Sequence, residues 1–175
     1  MEVNELIIEI AESGRQATDG EIRRIREHVA GVGYEPGGMT KAGRIVAGLW
    51  WQGRRIRSND RIENSVAHFL RHVAARPEWP IGTTFSEYIS SLRHVIEDPE
   101  GGIFVERVYG QWRLSFMARA YDAAGPRSGG WILVGYPVEY GYWSTSYQPK
   151  VGLRHFTLNE AEGERWIRHP TNPIT

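Results

Sequence analysis

The feature that most constrains the fold of this chain is a change of hydrophobic period at Gly102. Before this glycine, apolar side chains recur at the spacing of amphipathic helices. After it, apolar and polar side chains alternate, which is typical of strands that bury one face. Helical segments followed by antiparallel strands predict an α+β fold, with N-terminal helices and a sheet of about four strands.

Several segments before Gly102 have the boundaries of helices as well as their spacing. Thr18 is followed by Glu21, which is the arrangement of a capping box, and Thr84 is a second N-cap candidate. The segment around His68 is predicted to end before Pro77, because proline disfavours a continuing helix. The predicted helices cover residues 1–14, 18–31, 40–51, 60–76 and 84–96.

The strands after Gly102 begin with a predicted hairpin. Tyr109 and Gly110 separate two runs of strand-forming residues, as in a tight turn between antiparallel strands. A strongly apolar run and a hydroxyl-rich run follow, and a short run over residues 153–158 either pairs with the sheet or lies outside it. The predicted strands cover residues 103–108, 111–118, 131–138 and 142–148.

Length and composition limit the class of protein. A chain of 175 residues forms one domain, alone or with a helical segment before it. There is no cysteine, which excludes a disulfide framework and a thiolate zinc site. No run approaches the roughly 20 apolar residues that cross a bilayer, and the acidic start lacks the cationic region of a signal peptide. We therefore expect no membrane-spanning segment.

The distribution of charge is more informative than its sum. The chain has 21 basic and 21 acidic residues, and zero net charge argues against a generic nucleic-acid binder. Residues 41–71, however, contain seven bases against two acids, a local excess of five. A basic field of this kind favours a polyanionic substrate, and a solvated arginine-rich surface loop is the alternative.

His68 and His72 are the first candidates for chemistry. Four residues apart on a predicted helix, their imidazoles share one face, and Arg71 lies beside them. Histidine transfers protons near neutral pH. Two alternatives remain: the pair is a set of satisfied polar groups at a helix edge, or it binds zinc. The sequence contains no HExxH motif and no obvious third ligand for zinc.

The hydroxyl-rich run supplies candidates for phosphate binding. In a strand, Thr145 and Tyr147 share one face, while Ser144 and Ser146 share the other. Such residues are also common in strands for packing reasons alone. Combined with the histidines, they suit metal-free RNA cleavage, in which the 2′-hydroxyl attacks the adjacent phosphate and no cofactor is needed.

The order of these motifs, over about residues 66–156, resembles the toxin ribonucleases of the barnase/EndoU/colicin/RelE-like group. This group includes the C-terminal domains of contact-dependent inhibition toxins and colicin D-type tRNA nucleases. Its members show a helix with a histidine pair, a tyrosine-containing helix that ends at an Asp-Pro or Asn-Pro turn, an arginine-bearing hairpin, a glycine turn, and a closing T-x-F/Y-x-P strand. The corresponding segments here are residues 68–72, 88–99, 107–110, 139–141 and 145–149.

The resemblance implies a nuclease domain over residues 65–175, preceded by a helical segment over residues 1–64 that is either an entry or linker segment or an extension of the fold. It implies no metal and no cofactor. Catalysis would fall to His68, His72, Thr145 and Tyr147, and substrate contacts to Arg71, Arg107 and Ser146. Arg71 stands where lysine is usual, and because arginine keeps its proton it stabilises charge rather than donating a proton.

The resemblance also implies a biological setting. The chain would be a secreted or delivered toxin domain that acts on RNA, with tRNA as the expected substrate, in the cytoplasm of competing bacteria. A cognate immunity protein would neutralise it. One alternative is a non-enzymatic partner-binding or immunity-type protein, and another is an inactive phage or mobile-element relative of the nuclease fold. In the first alternative an interface would be formed by Trp112, Trp131, Tyr136 and Trp143.

Overall fold

The computed structural model describes residues 1–33, 68–75, 78–80, 82–119, 130–149, 152, 156 and 162–171. Helices precede a five-stranded antiparallel sheet, which confirms the predicted α+β fold and adds one strand to the expected sheet. The helices are α1 (Val3–Ser13), α2 (Asp19–Val32), a π-helix (Leu70–Ala75) and α3 (Phe85–Glu97). The strands are β1 (Gly102–Val108), β2 (Gln111–Arg119), β3 (Trp131–Pro137), β4 (Thr145–Tyr147) and β5 (Arg165–Arg168), in the order β4-β3-β2-β1-β5.

Two helices begin as the sequence predicts. At the start of α2, the Thr18 hydroxyl accepts the Glu21 backbone N–H at 3.2 Å, and the Glu21 carboxylate accepts the Thr18 N–H at 2.8 Å. Thr84 and Glu87 form the same capping box at the start of α3, at 3.1 and 2.8 Å. Each box satisfies backbone N–H groups that would otherwise lack a partner in the helix.

Each described α-helix ends against an arginine from another element. The last carbonyls of a helix have no donor within it, and a cation there also interacts favourably with the helix dipole. These long-range bonds tie the three helices to one another and to the sheet. Arg165 donates to the carbonyls of Ile10 at 2.7 Å and Ala11 at 3.3 Å. Arg93 donates to that of Ala30 at 3.1 Å, and Arg26 donates to that of Ile96 at 2.9 Å.

The helices cover one face of the sheet and share a single hydrophobic core with it. The Trp143 indole donates to the Val29 carbonyl at 2.7 Å, and the Tyr136 hydroxyl donates to Asn4 at 2.7 Å. The helices α1 and α2 therefore belong to the same core as the strands, while the predicted boundary after residue 64 lies outside the described residues. The core includes Leu6, Ile10, Ile25, Val29, Leu92, Ile96, Ile103, Val105, Leu114, Phe116, Ile132 and Val134.

The opposite face of the sheet has an apolar half and a polar half. In the apolar half, Met117, Trp131 and Leu133 are buried, and the aromatic rings of Tyr147, Phe156 and Trp166 pack against them. The polar half lies toward the β1–β2 turn and contains Glu106 and Arg113. Tyr147 contacts the apolar half and, through its hydroxyl, faces charged groups of the polar half.

The last strands differ from the prediction. The predicted strand over residues 142–148 is shortened to the three residues of β4, because the Trp143 N–H bonds the Gly33 carbonyl and its indole enters the core. The strand β5 was not predicted, since four residues are too few for alternation to be distinctive. The predicted helix over residues 40–51 lies outside the described residues, as does the run over residues 153–158 apart from Phe156. Within the described ranges, no helix combines the length and apolar character needed to cross a bilayer.

Candidate functional site

The histidine pair lies where an α-helical backbone changes to a π-helical one. His68 is α-helical, and Leu70–Ala75 is a π-helix where a regular helix end was predicted. Single π-helical turns are rare, and they are frequent at functional sites. The imidazoles of His68 and His72 stack, with ring centroids 5.7 Å apart and planes inclined by 12°. They therefore share a face, as their spacing predicts.

His72 is hydrogen-bonded to a buried carboxylate that the sequence analysis did not identify. Its Nδ1 bonds Oε2 of Glu78, and the exposed fractions of the two residues are 8% and 1%. The Glu78 N–H also donates to the His72 carbonyl at 2.9 Å. Burying a charged group is costly unless it is paired and hydrogen-bonded, and Glu78 has such partners in His72 and in the backbone.

Glu78 also joins the histidine segment to the end of β4. The Gln148 backbone N–H donates to Glu78 Oε1 at 2.7 Å, and the Gln148 side-chain amide donates to the Glu78 carbonyl. Gln148 follows directly after β4, which is an edge strand of the sheet. The carboxylate thus satisfies a backbone donor that an edge strand would otherwise leave open.

Tyr147 brings the two candidate segments into direct contact. Its ring stacks with that of His72, with centroids 5.8 Å apart and planes inclined by 27°. The His72 imidazole therefore stacks with both His68 and Tyr147 and bonds Glu78 at its edge. Residues 68–72 and 145–149, which are separate candidates in the sequence, form one site in the fold.

His68 is neutral at physiological pH. Burial of its imidazole lowers its pKa to about 3, and electrostatic interactions with His72 and Arg71 act in the same direction. A hydrogen bond with the Ser144 backbone opposes this shift. Because an unperturbed histidine titrates near pH 6.5, His68 carries no proton to donate as an imidazolium at neutral pH. Its position suits it to orient His72 rather than to act as an acid.

The hydroxyl run divides between the two faces of the sheet, as alternation predicts. Ser146 is fully buried on the helix side, where its hydroxyl bonds that of Tyr88. It is therefore enclosed in the core and turned away from the other face. Thr145 and Tyr147 lie half-buried on the opposite face, where Tyr147 meets His72.

The two predicted arginines occupy different surroundings. Arg71 is half-buried beside His72, and its charge reaches His68. Arg107 pairs across the hairpin with Trp112, which belongs to the helix-side core, and its guanidinium lies 4.7 Å from the centre of that indole ring. Its Nη2 donates to the Gly110 carbonyl at 2.8 Å. Arg107 thus lies on the face of the sheet away from Thr145 and Tyr147.

Arg113 is the hairpin arginine on the Tyr147 face. It pairs across the hairpin with Glu106 and donates to Glu106 Oε1 from Nη2 at 2.6 Å and from Nε at 3.0 Å. The Ser115 hydroxyl donates to the same oxygen at 3.0 Å. We call Glu106, Arg113 and Ser115 the Glu106 cluster. Strand alternation combined with the predicted turn would have located this cluster, whereas no sequence pattern marks Glu78.

Gly135 allows the Glu106 cluster and β4 to approach each other. A Cβ on this glycine would lie 2.6 Å from the Thr145 methyl carbon and 3.5 Å from the Arg113 Cδ. Real side chains do not tolerate the first distance, so only glycine fits here without movement. The Arg113 stem and the Thr145 methyl group therefore both lie close to Gly135 of β3.

The Tyr147 phenol is electrostatically linked to both parts of the site. Burial raises its pKa, the positive charge of Arg113 lowers it, and the negative charges of Glu106 and Glu78 raise it further. Coulombic interactions weaken with distance, so these three charged side chains lie near the phenol. The arrangement combines an imidazole with its own carboxylate, a guanidinium and a protonated phenol, which together can transfer protons and bind an oxyanion.

In the part of the chain that the structure describes, no group of three or more histidine, aspartate or glutamate side chains is arranged to hold a metal ion. At His72, Nδ1 is engaged by Glu78, and His68 stacks face to face rather than converging on a shared point. The described histidine pair therefore lacks the converging ligands of a zinc site.

Comparison with known proteins does not identify a family or a function for this chain. No family model matches the chain, and no similar protein was found among curated proteins or solved structures. The contacts of the residues themselves therefore carry the functional assignment.

Proposed function

We propose that this chain contains a metal-independent endoribonuclease that cleaves RNA by transesterification. The observation that carries the proposal is the position of the His72 imidazole, which bonds the buried Glu78 and stacks with Tyr147. This contact joins the histidine segment to the closing strand. Groups for proton transfer and for phosphate binding then lie around one phenol.

Two proton transfers are needed in this reaction. One removes the proton of the attacking 2′-hydroxyl, and the other protonates the leaving 5′-oxygen. His72 is the leading group for one transfer, because an imidazole can both accept and donate a proton. His68, with a pKa of about 3, is too weakly basic for the other. In the proposal Glu106, a carboxylate on the same face as Tyr147, takes the proton of the 2′-hydroxyl, and His72 protonates the leaving 5′-oxygen.

The developing charge on the phosphorane needs donors on the same side. Arg113 is suited to this, because a guanidinium has five N–H donors and can bind Glu106 and a phosphoryl oxygen together. Tyr147 keeps its proton at neutral pH, since burial raises its pKa, and so remains a donor. Thr145 lies beside Arg113 across Gly135 and offers a further hydroxyl.

The wider proposal is that the enzyme is a toxin of the barnase/EndoU/colicin/RelE-like group. It would cleave tRNA in the cytoplasm of competing bacteria after delivery, and a cognate immunity protein would block it. This part is supported by the ordered motifs over residues 66–156 and by the basic excess over residues 41–71, which favours a polyanionic substrate.

The test is cleavage of total tRNA by the purified protein in EDTA, compared with His72→Ala. We expect the wild type to cut RNA and to leave 2′,3′-cyclic phosphate ends, and not to cut DNA of the same sequence, which lacks the attacking hydroxyl. Loss of the proton-transfer group is expected to lower the rate by about 10²–10⁴-fold.

His94→Ala is the matched control, because His94 is exposed on α3 away from these contacts. It should cleave at the wild-type rate. The proposal fails if the wild type leaves tRNA intact in every condition, or if His72→Ala cleaves as fast as the control while both remain folded.

The alternative of an aromatic protein interface receives no support from the positions of its residues. Trp112, Trp131, Tyr136 and Trp143 are all buried, with exposed fractions of 9%, 2%, 0% and 0%. Interface aromatics must reach the surface to contact a partner, so these four side chains offer it little area.

A further inference from the structure

We infer that Glu78 is a positioning residue that sets the tautomer of His72, so that Nδ1 holds its proton and Nε2 is the nitrogen that exchanges a proton with the substrate. The catalytic consequence rests on the proposed function. The structural claim, that Glu78 sets the tautomer of His72, rests on the contacts of Glu78 alone. It can be tested without RNA.

The chemistry of a carboxylate leaves little choice of tautomer. An ionised carboxylate accepts hydrogen bonds and donates none. Its bond with His72 Nδ1 therefore requires a proton on that nitrogen. In neutral imidazole the other nitrogen then has the free lone pair. Nε2 is thus the nitrogen that takes up and releases the transferred proton.

The hydrogen bonds of Glu78 hold its carboxylate in one orientation. Oε1 accepts the Gln148 backbone N–H at 2.7 Å while Oε2 faces His72. The Glu78 main chain donates to the His72 carbonyl and accepts the Gln148 side-chain amide. Each carboxylate oxygen is thus used as an acceptor, and both ends of the group are fixed.

The imidazole is equally constrained. Its ring stacks with those of His68 and Tyr147 at centroid distances of 5.7 and 5.8 Å, and the residue is 8% exposed. A half-turn of the ring about Cβ–Cγ would bring Cδ2 to the position of Nδ1 and lose the hydrogen bond with Glu78. The orientation of His72 is therefore set by packing, and its tautomer by Glu78.

This geometry makes Glu78→Gln a selective test. Glutamine has nearly the same shape, but one end accepts and the other donates. The Gln148 N–H needs the acceptor end, so the amide NH₂ would face His72 Nδ1. The imidazole would then have to accept at Nδ1 and carry its proton on Nε2. The substitution is thus expected to reverse the tautomer while keeping the hydrogen bonds.

The experiment is NMR of ¹⁵N-histidine-labelled protein at a pH where His72 is neutral, with its signals assigned by their loss in His72→Gln. We expect Nδ1–H in the wild type and Nε2–H in Glu78→Gln, and RNA cleavage lower by about 10³–10⁴-fold in the variant. Glu139→Gln, at an exposed residue of the β3–β4 turn, is the matched control and should retain both properties.

A purely structural role for Glu78 would lower the melting temperature without changing the tautomer. A Glu78→Gln protein that keeps Nδ1–H, or that cleaves RNA at the wild-type rate, overturns the inference. If glutamine prevents folding, Glu78→Asp keeps two acceptor oxygens and should keep Nδ1–H, so Nε2–H in that variant would also overturn it. A wild type that never cleaves RNA overturns the proposed function instead. The positioning role of Glu78 is then still tested by the NMR measurement of the His72 tautomer.

Discussion

The two histidines of the π-helical segment have the same side chain and different chemistry. Burial of the His68 imidazole, with smaller contributions from His72 and Arg71, lowers its pKa to about 3, so it is neutral. His72 meets a carboxylate instead. The spacing in the sequence predicts that the two rings share a face, but it does not distinguish their chemical roles. Their roles separate only because Glu78 reaches one of them.

The lowered pKa of His68 predicts acid sensitivity of the fold. Unfolded His68 takes up a proton near pH 6.5, but folded His68 does so only near pH 3, so the unfolded state binds more protons between these values. Its contribution to stability is therefore complete above about pH 6.5 and is lost as the pH falls toward 3. In urea unfolding, lowering the pH from 7.5 to 5.0 should cost the wild type about 1–2 kcal/mol more than His68→Gln.

His94→Gln provides the comparison, because His94 is exposed and should leave the acid sensitivity of the wild type unchanged. Equal losses of unfolding free energy in the wild type and in His68→Gln would contradict the prediction. All other titrating groups are shared, so the difference between the two proteins isolates His68.

Among the elements, the hairpin of β1 and β2 shows what alternation does and does not reveal. The turn at residues 109–110 was predicted and forms, and it sets Glu106 opposite Arg113 and Arg107 opposite Trp112. The resemblance implied Arg107 as a substrate contact, whereas the register places Arg113 on the Tyr147 face. A shift of one residue exchanges the faces of a strand, so the register decides which arginine faces Tyr147.

The short strand β4 depends on a glycine in its neighbour. In Gly135→Ala the new Cβ would lie 2.6 Å from the Thr145 methyl carbon, so β4 must move. We expect a loss of about 1–3 kcal/mol in unfolding free energy, as for other overpacked sites. Chemical denaturation measures this directly. Adding Thr145→Ser removes the clashing methyl group and should recover much of the loss.

Gly20→Ala is the matched control for this substitution. A Cβ at Gly20 meets nothing within 4 Å, and alanine is a better helix former than glycine. It should leave stability unchanged or raise it slightly. If Gly135→Ala is as stable as Gly20→Ala, the prediction that a Cβ at residue 135 displaces β4 is wrong.

For the whole molecule, the first two helices are part of the core that supports the site. Arg26 of α2 donates to the carbonyls of Ile96 and Gly101 and is 6% exposed, and the Trp143 indole bonds the last turns of α2. The resemblance instead implied a boundary after residue 64. The contacts place α1 and α2 in the core that supports the sheet.

A fragment of residues 65–175 should therefore not fold by itself. It would leave the helix-facing core of the sheet exposed and remove the donors of Arg26 from the end of α3. Near-UV circular dichroism and thermal unfolding should show no cooperative transition. Asn4→Ala in the full chain, which removes one bond to Tyr136, should cost only about 1 kcal/mol. A fragment that unfolds cooperatively would contradict this prediction.

The sequence by itself determined the order of helices and strands, the capping boxes at Thr18 and Thr84, and the hairpin turn. These features depend on contacts between residues close in the chain, so local patterns are sufficient to predict them. It also indicated that His68 and His72 share a face and that Thr145 and Tyr147 share another.

Only the tertiary structure decided how these groups combine. Glu78 meets Gln148 across 70 residues of chain, the Trp143 indole meets Val29 across 114, and the burial that neutralises His68 comes from packing. No local pattern encodes such contacts, because they depend on which surfaces the core brings together. The physical reason is that packing and desolvation belong to the folded chain as a whole, whereas periodicity and capping belong to each segment.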